Sequence, residues 1–130
     1  MKTKTEQIFD QTCPWDHPYQ GVAARHLYVC SAGLLRSATS AKVAMSLGYN
    51  ARACGSASYA LIPISANLIM WANKIIFVHE DNYYEVLETF ENHAKLLEEI
   101  ERKKVIWDIE DIYNYNDSVL VDKIEQKLLS

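Results

Sequence analysis

The chain has 130 residues, 49% hydrophobic and 23% charged, a balance that fits one compact globular domain with a single core. Its formal net charge of -4 argues against a nucleic-acid-binding surface, which is normally basic. No apolar stretch is long enough to span a bilayer, and the opening MKTKTEQIFDQ holds no apolar signal region, so the expected location is the cytoplasm.

Residues 1–25 read as an irregular arm, with two prolines and a glycine in TCPWDHPYQG. Cys13 and His17 within it have a spacing that suits a metal, but two ligands do not make a site, and no metal or other cofactor is expected. The domain proper is expected over residues 26–130. Residues 26–30 (HLYVC) read as a short buried strand. Residues 37–47 (SATSAKVAMSL) read as a helix that Gly48 ends. Residues 49–54 (YNARAC) suit a second strand running into the turn-like GSAS. Ser65 can cap a short helix carrying Leu68, Ile69 and Ala72, and residues 74–79 (KIIFVH) form the clearest buried strand. Asn82 followed by Glu85 has the capping-box pattern. It predicts one long helix with apolar positions Tyr83, Val86, Leu87, Phe90, Ala94, Leu97 and Ile100. Residues 105–109 (VIWDI) predict a fourth strand, and Asp117 or Ser118 can cap a final helix through Leu120, Val121, Ile124 and Leu128.

Strands alternating with helices imply parallel pairing through right-handed crossovers. In such sheets ligands bind at the carboxyl ends of strands, and Cys30 ends the first one. A loop between strand and helix can turn its N–H groups inward and cradle an anion at the positive end of the helix dipole. The small residues Ser31, Ala32 and Gly33 allow close backbone approach, and Gly33 can take a left-handed conformation. Arg36 supplies a planar fork for two phosphate oxygens, and Ser37 can donate a hydroxyl to the sulfur. Such surroundings favour the thiolate, the nucleophilic form of cysteine. The three cysteines (Cys13, Cys30, Cys54) are expected as free thiols, with Cys54 buried in its strand. His26 and His79 are expected to serve packing.

The segment CSAGLLRS, a Cys-x5-Arg-Ser pattern between the first strand and the following helix, resembles the phosphate loop of the low-molecular-weight protein tyrosine phosphatases, including the small bacterial and phage members. By element order the resemblance covers about residues 26 to 125. It departs at Ala32-Gly33, where the family has glycine-asparagine, at Leu35, where many members have a second cysteine, and at Ala38, where proline is common. The fold expected is a three-layer α/β sandwich with a four-stranded parallel sheet in the order 2-1-3-4 and helices on both faces.

The resemblance implies a catalytic Cys30 and Arg36, a phosphate cradle of Ser31, Ala32, Gly33, Leu34, Leu35 and Ser37, and an acid in the loop after the fourth strand. The segment WDIEDIYNYND offers Asp108, Asp111 and Asp117, none before a proline. Asp108 falls within the expected strand, and Asp117 reads first as a helix cap. Asp111, with Tyr113 two residues later, matches the family's aspartate-x-aromatic pattern and is the expected acid, with Asp117 the second candidate. Tyr113 and Tyr115 are placed to wall the cleft, with Leu34, Leu35 and Tyr59 as further contacts.

The function implied is hydrolysis of a phosphomonoester, phosphotyrosine by family default, through a cysteinyl-phosphate. The partner is thus a phosphorylated protein or small phosphomonoester, with no nucleic acid and no membrane involved. A phosphate-binding module without turnover and a phosphatase of small metabolites are the alternatives. An arsenate reductase of this fold needs two further cysteines after the third strand, and residues 80–100 contain none. Phosphotransferase carriers of similar fold lack the arginine that Arg36 supplies.

Overall fold

A computed structural model describes residues 23–129 of the chain. Its elements in order are β1 (Arg25–Cys30), α1 (Arg36–Ser46), β2 (Asn50–Gly55), α2 (Ala66–Trp71), β3 (Lys74–Phe77), α3 (Glu80–Thr89), α4 (Ala94–Lys103), β4 (Lys104–Ile106) and α5 (Ser118–Leu129). The four strands form one all-parallel sheet in the order β2-β1-β3-β4. Val29 of the central strand pairs with Cys54 on one side and Phe77 on the other. The expected fold is the observed one. The arm, with Cys13 and His17, lies outside the described residues apart from its last three positions. Arg25 already belongs to β1, and the Ala24 and Ala23 carbonyls accept from the backbone and side-chain amides of Asn50.

Alternation along β1 divides the core between the two faces of the sheet. Leu27 and Val29 join Cys54, Ile69, Phe77, Tyr83, Val86 and Ile100 beneath α2, α3 and α4. Tyr28 and Cys30 join Ala41, Ala44, Val78, Trp107, Leu120 and Ile124 beneath α1 and α5. Cys30 therefore projects toward the α1 side while Cys54, on the adjacent strand, projects to the other. Burial, then the charge of nearby Cys30, pushes the Cys54 thiol well above its ordinary value, so it stays a neutral core residue. His26 is a packing residue, as expected: it is buried, hydrogen-bonded to the Tyr28 hydroxyl at 2.8 Å and stacked on Tyr49.

Three local expectations need correcting. The long helix is two helices, α3 and α4, separated by a turn at residues 90–93. A straight helix over residues 83–100 would run about 27 Å, twice the roughly 13 Å of the four-residue strand it must pack against. The bend brings both Val86 and Ile100 onto the sheet. It falls where Thr89, Asn92 and His93, all weak helix formers, cluster. The capping box is not used either. α3 starts three residues earlier, where the His79 ring accepts from the Asp81 amide, and Asn82 is buried inside the helix. Ser65 does cap α2, accepting from the Leu68 amide. β4 is shorter than expected, but the Trp107 and Ile109 amides still donate to the Phe77 and Val78 carbonyls, so extended chain continues to Ile109. Among the described residues, no helix is long and apolar enough to cross a membrane.

Candidate active site

The loop between β1 and α1 is shaped from outside by the segment that follows β2. The amides of Ser56, Ala57 and Leu61 donate to the carbonyls of Cys30, Ser31 and Ala32 at 2.7, 3.0 and 3.1 Å. In a trans peptide the carbonyl of one residue and the N–H of the next point in opposite directions. Holding those three carbonyls outward thus turns the N–H groups of Ser31, Ala32 and Gly33 inward. Gly33 completes the curl at φ 74° and donates its N–H to Cys30 Sγ at 3.2 Å. Gly55 lets the two segments touch: a Cβ there would lie 2.5 Å from the Ser31 carbonyl oxygen and 2.3 Å from the Ala60 side chain.

Cys30 is buried at the floor, with the Ser37 hydroxyl 3.0 Å from its sulfur. Ser37 lies in the first turn of α1, whose N-terminus opens on the same loop and bears no side-chain cap. The polar residues at the start of α1 fit a buried face because their hydroxyls are satisfied. Thr39 donates back to the Leu35 carbonyl and Ser40 to the Arg36 carbonyl. Thr39 Oγ1 also accepts from the Asn116 amide at 2.8 Å, which ties the loop after β4 to α1.

Arg36 is the second tie. Its guanidinium is only 4% exposed, and Nη1 donates to the Ile109 carbonyl at 2.8 Å. Its Nε is buried without a hydrogen-bond partner among the described residues and lies 3.6 Å from Asp111 Oδ1. Held by Arg36 at Ile109 and by Thr39 at Asn116, the intervening loop carries Asp111 to the Arg36 guanidinium, with its carboxylate largely exposed. The structure thus sets the Ser37 hydroxyl and the Gly33 amide at the Cys30 sulfur, and Asp111 beside the guanidinium of Arg36, the residue before Ser37.

The competing aspartates are placed elsewhere. Asp108 pairs with Lys127 of α5 at 2.7 Å, and that hydrogen bond lowers its carboxyl below the usual range. Asp117 caps α5, accepting from the Val119 and Leu120 amides. The flanking side chains divide. Leu34 is half-buried and Leu35 exposed at the loop's outer edge. Tyr113 packs half-buried against the α1–α5 core, and Tyr115 lies outside it with the Lys42 ammonium 5.8 Å from its ring centroid. Tyr59 is 78% exposed. A cavity of about 350 Å³, lined by Asp108, Ile109, Lys123, Gln126 and Lys127, lies between the loop and α5 and is lined by neither Cys30 nor Arg36.

Sequence reasoning missed three contributors. Gly55 and Ser56 sit in the GSAS turn, whose small residues were the available signal. Asn82, whose Nδ2 donates to the Ser31 and Ser56 hydroxyl oxygens at 3.2 Å each, was hidden under a helix-capping signature. No family model, no curated protein and no solved structure matches this chain.

Proposed function

We propose that this chain is a cytoplasmic phosphomonoesterase of the low-molecular-weight tyrosine phosphatase type, acting on phosphotyrosine through a cysteinyl-phosphate intermediate. The observation that supports this reading most is the placement of a buried thiol under the Gly33 N–H and beside the Ser37 hydroxyl, with the adjacent residue Arg36 facing Asp111. The inward N–H groups and the free donors of Arg36 would hold the three equatorial oxygens of a phosphoryl group. The Cys30 thiolate then attacks phosphorus in line, forming the S–P bond as the P–O bond to the leaving group breaks. Asp111 gives its proton to the departing oxygen. A water next attacks phosphorus, its proton passes to Asp111, and inorganic phosphate leaves as the thiolate is restored. Neither half of the cycle calls for a metal, because Arg36 and the amides supply the positive charge.

The experiment is turnover of nitrophenyl phosphate and of phosphotyrosine peptides by the wild type and by Cys30→Ser. The variant should lose turnover while inorganic phosphate or vanadate still binds, since most of the cradle is backbone. Substantial turnover by Cys30→Ser would remove the cysteine from the mechanism. Wild-type binding of phosphotyrosine without turnover would make the chain a phosphate-binding module. Preference for phosphorylated metabolites over peptides would replace the substrate class.

A further inference from the structure

A chain of hydrogen bonds runs behind the cradle from the surface to Ser31. Ser56 Oγ donates to Glu85 Oε1 at 3.1 Å, and Asn82 Nδ2 lies 3.2 Å from both Ser56 Oγ and Ser31 Oγ. Asn82 is 1% exposed and reaches the loop from α3, 51 residues along the chain. Its Oδ1 is buried with no partner among the described residues. A buried amide oriented so that its carbonyl goes unsatisfied calls for an explanation.

The direction of the chain supplies one. An ionised carboxylate only accepts. Ser56 has one hydroxyl proton, and Glu85 takes it. Toward Asn82, Ser56 can then only accept, so the amide must present its NH2 edge to the serines. That same edge faces Ser31, so Ser31 also accepts from Asn82, and its own proton is left for another group. Among the described residues no acceptor for that proton lies within hydrogen-bond distance, and Ser31 is the first residue of the anion cradle. The alternative orientation would satisfy the serine protons at Oδ1, but it would set two acceptor oxygens, Ser56 Oγ and Glu85 Oε1, against each other at 3.1 Å.

We propose that Glu85, Ser56 and Asn82 are positioning residues that orient the Ser31 hydroxyl as a donor to the anion bound in the cradle. This rests on the phosphate-loop reading above. The three residues touch neither the nucleophile nor the phosphoryl group. They act by fixing which way one proton points, and the unsatisfied carbonyl of Asn82 is the cost of that polarity.

A double-mutant cycle tests the assignment, read in two ways: inorganic phosphate affinity and kcat/KM on nitrophenyl phosphate. Ser31→Ala should weaken both by about tenfold, the scale of one hydrogen bond to a charged group. Asn82→Leu, which keeps the volume and removes the chain, should cost about the same. The two together should cost about tenfold, not about a hundredfold, because both remove one donor. Glu85→Lys provides a second route on an exposed site. An ammonium only donates, so the chain reverses, Asn82 presents its Oδ1 and the Ser31 hydroxyl donates to it instead of to the anion; phosphate affinity should fall although a positive charge has been added. Glu85→Gln, which keeps an acceptor, should restore most of it. Multiplicative losses, or unchanged phosphate affinity in Glu85→Lys, would overturn the proposal. Wild-type protein that binds phosphate without turnover would sink the hydrolase reading and leave this cycle readable; wild-type protein that binds no phosphate would sink both.

Discussion

Replacing Arg36 by lysine separates geometry from charge. The guanidinium has five N–H donors in a rigid plane. One is committed to the Ile109 carbonyl at 2.8 Å, and Nε faces Asp111, which leaves the outer edge for phosphate oxygens. A lysine ammonium carries its three donors on one atom. It can serve the carbonyl or the phosphate, but it cannot span both as a fork does. If phosphate keeps one donor and loses one in the transition state, kcat should fall by about 10²–10³, or roughly 3–4 kcal/mol. Phosphate affinity should fall far less, within about tenfold, because the charge remains and the amides are untouched. Losing the Ile109 tie should also lower stability by about 1–3 kcal/mol, which a urea titration would register. The assay is steady-state hydrolysis of nitrophenyl phosphate, with phosphate affinity measured by calorimetry. A kcat within threefold of wild type would refute the fork argument and reduce Arg36 to a diffuse charge.

Asp111→Asn should slow phosphotyrosine turnover much more than nitrophenyl phosphate turnover, because nitrophenolate leaves well without a proton; equal losses would remove Asp111 as the acid. Asp117→Ala should cost about 1 kcal/mol of stability through its lost cap, with no dependence on leaving group; such a dependence would place the acid there instead. Gly55→Ala should destabilise by roughly 1–3 kcal/mol and weaken phosphate binding together, since the new methyl meets the Ser31 carbonyl; a neutral result in both would show that the brace does not shape the loop. His26 should make the fold acid-sensitive. Burial first, and then the Lys74 charge, lower its pKa to about 4 from 6.5, so the unfolded chain takes up the proton first as pH falls. This contribution is intact above pH 6.5 and is lost between there and about 4, by up to about 3 kcal/mol; a His26→Gln variant should flatten that limb of a urea-midpoint profile against pH.

The strands and the loop were legible because their signals are local. HLYVC and KIIFVH each hold an unbroken apolar run of four residues, and CSAGLLRS joins a strand end to a helix start within eight residues. Asp111, the candidate acid, was picked from its offset past the last strand, and its place beside Arg36 was not local information. The broken helix was not, because apolar positions recur with the same period whether or not the helix bends between them. Asn82 was misread for a different reason. Asparagine three residues before glutamate has a well-founded local meaning as a cap, and nothing local reveals partners 51 and 26 residues away. The Arg36–Ile109 bond spans 73 residues and is equally silent in the sequence.

The outside brace on the loop has a thermodynamic corollary. The inward amides exist only while Ser56, Ala57 and Leu61 hold the loop carbonyls, and the arginine is set only while the segment after β4 is docked. The unfolded chain has no such cradle, so any anion that fits it binds the native state alone. By mass action, ligand at a hundred times its dissociation constant would then stabilise the whole domain by about 2.7 kcal/mol. Inorganic phosphate, the product of the proposed reaction, would thus occupy the site as a competitive inhibitor while protecting the protein against heat. Melting curves recorded in phosphate buffer would overstate the stability of the empty domain, and the same shift, titrated, would give the affinity of the site without any turnover assay.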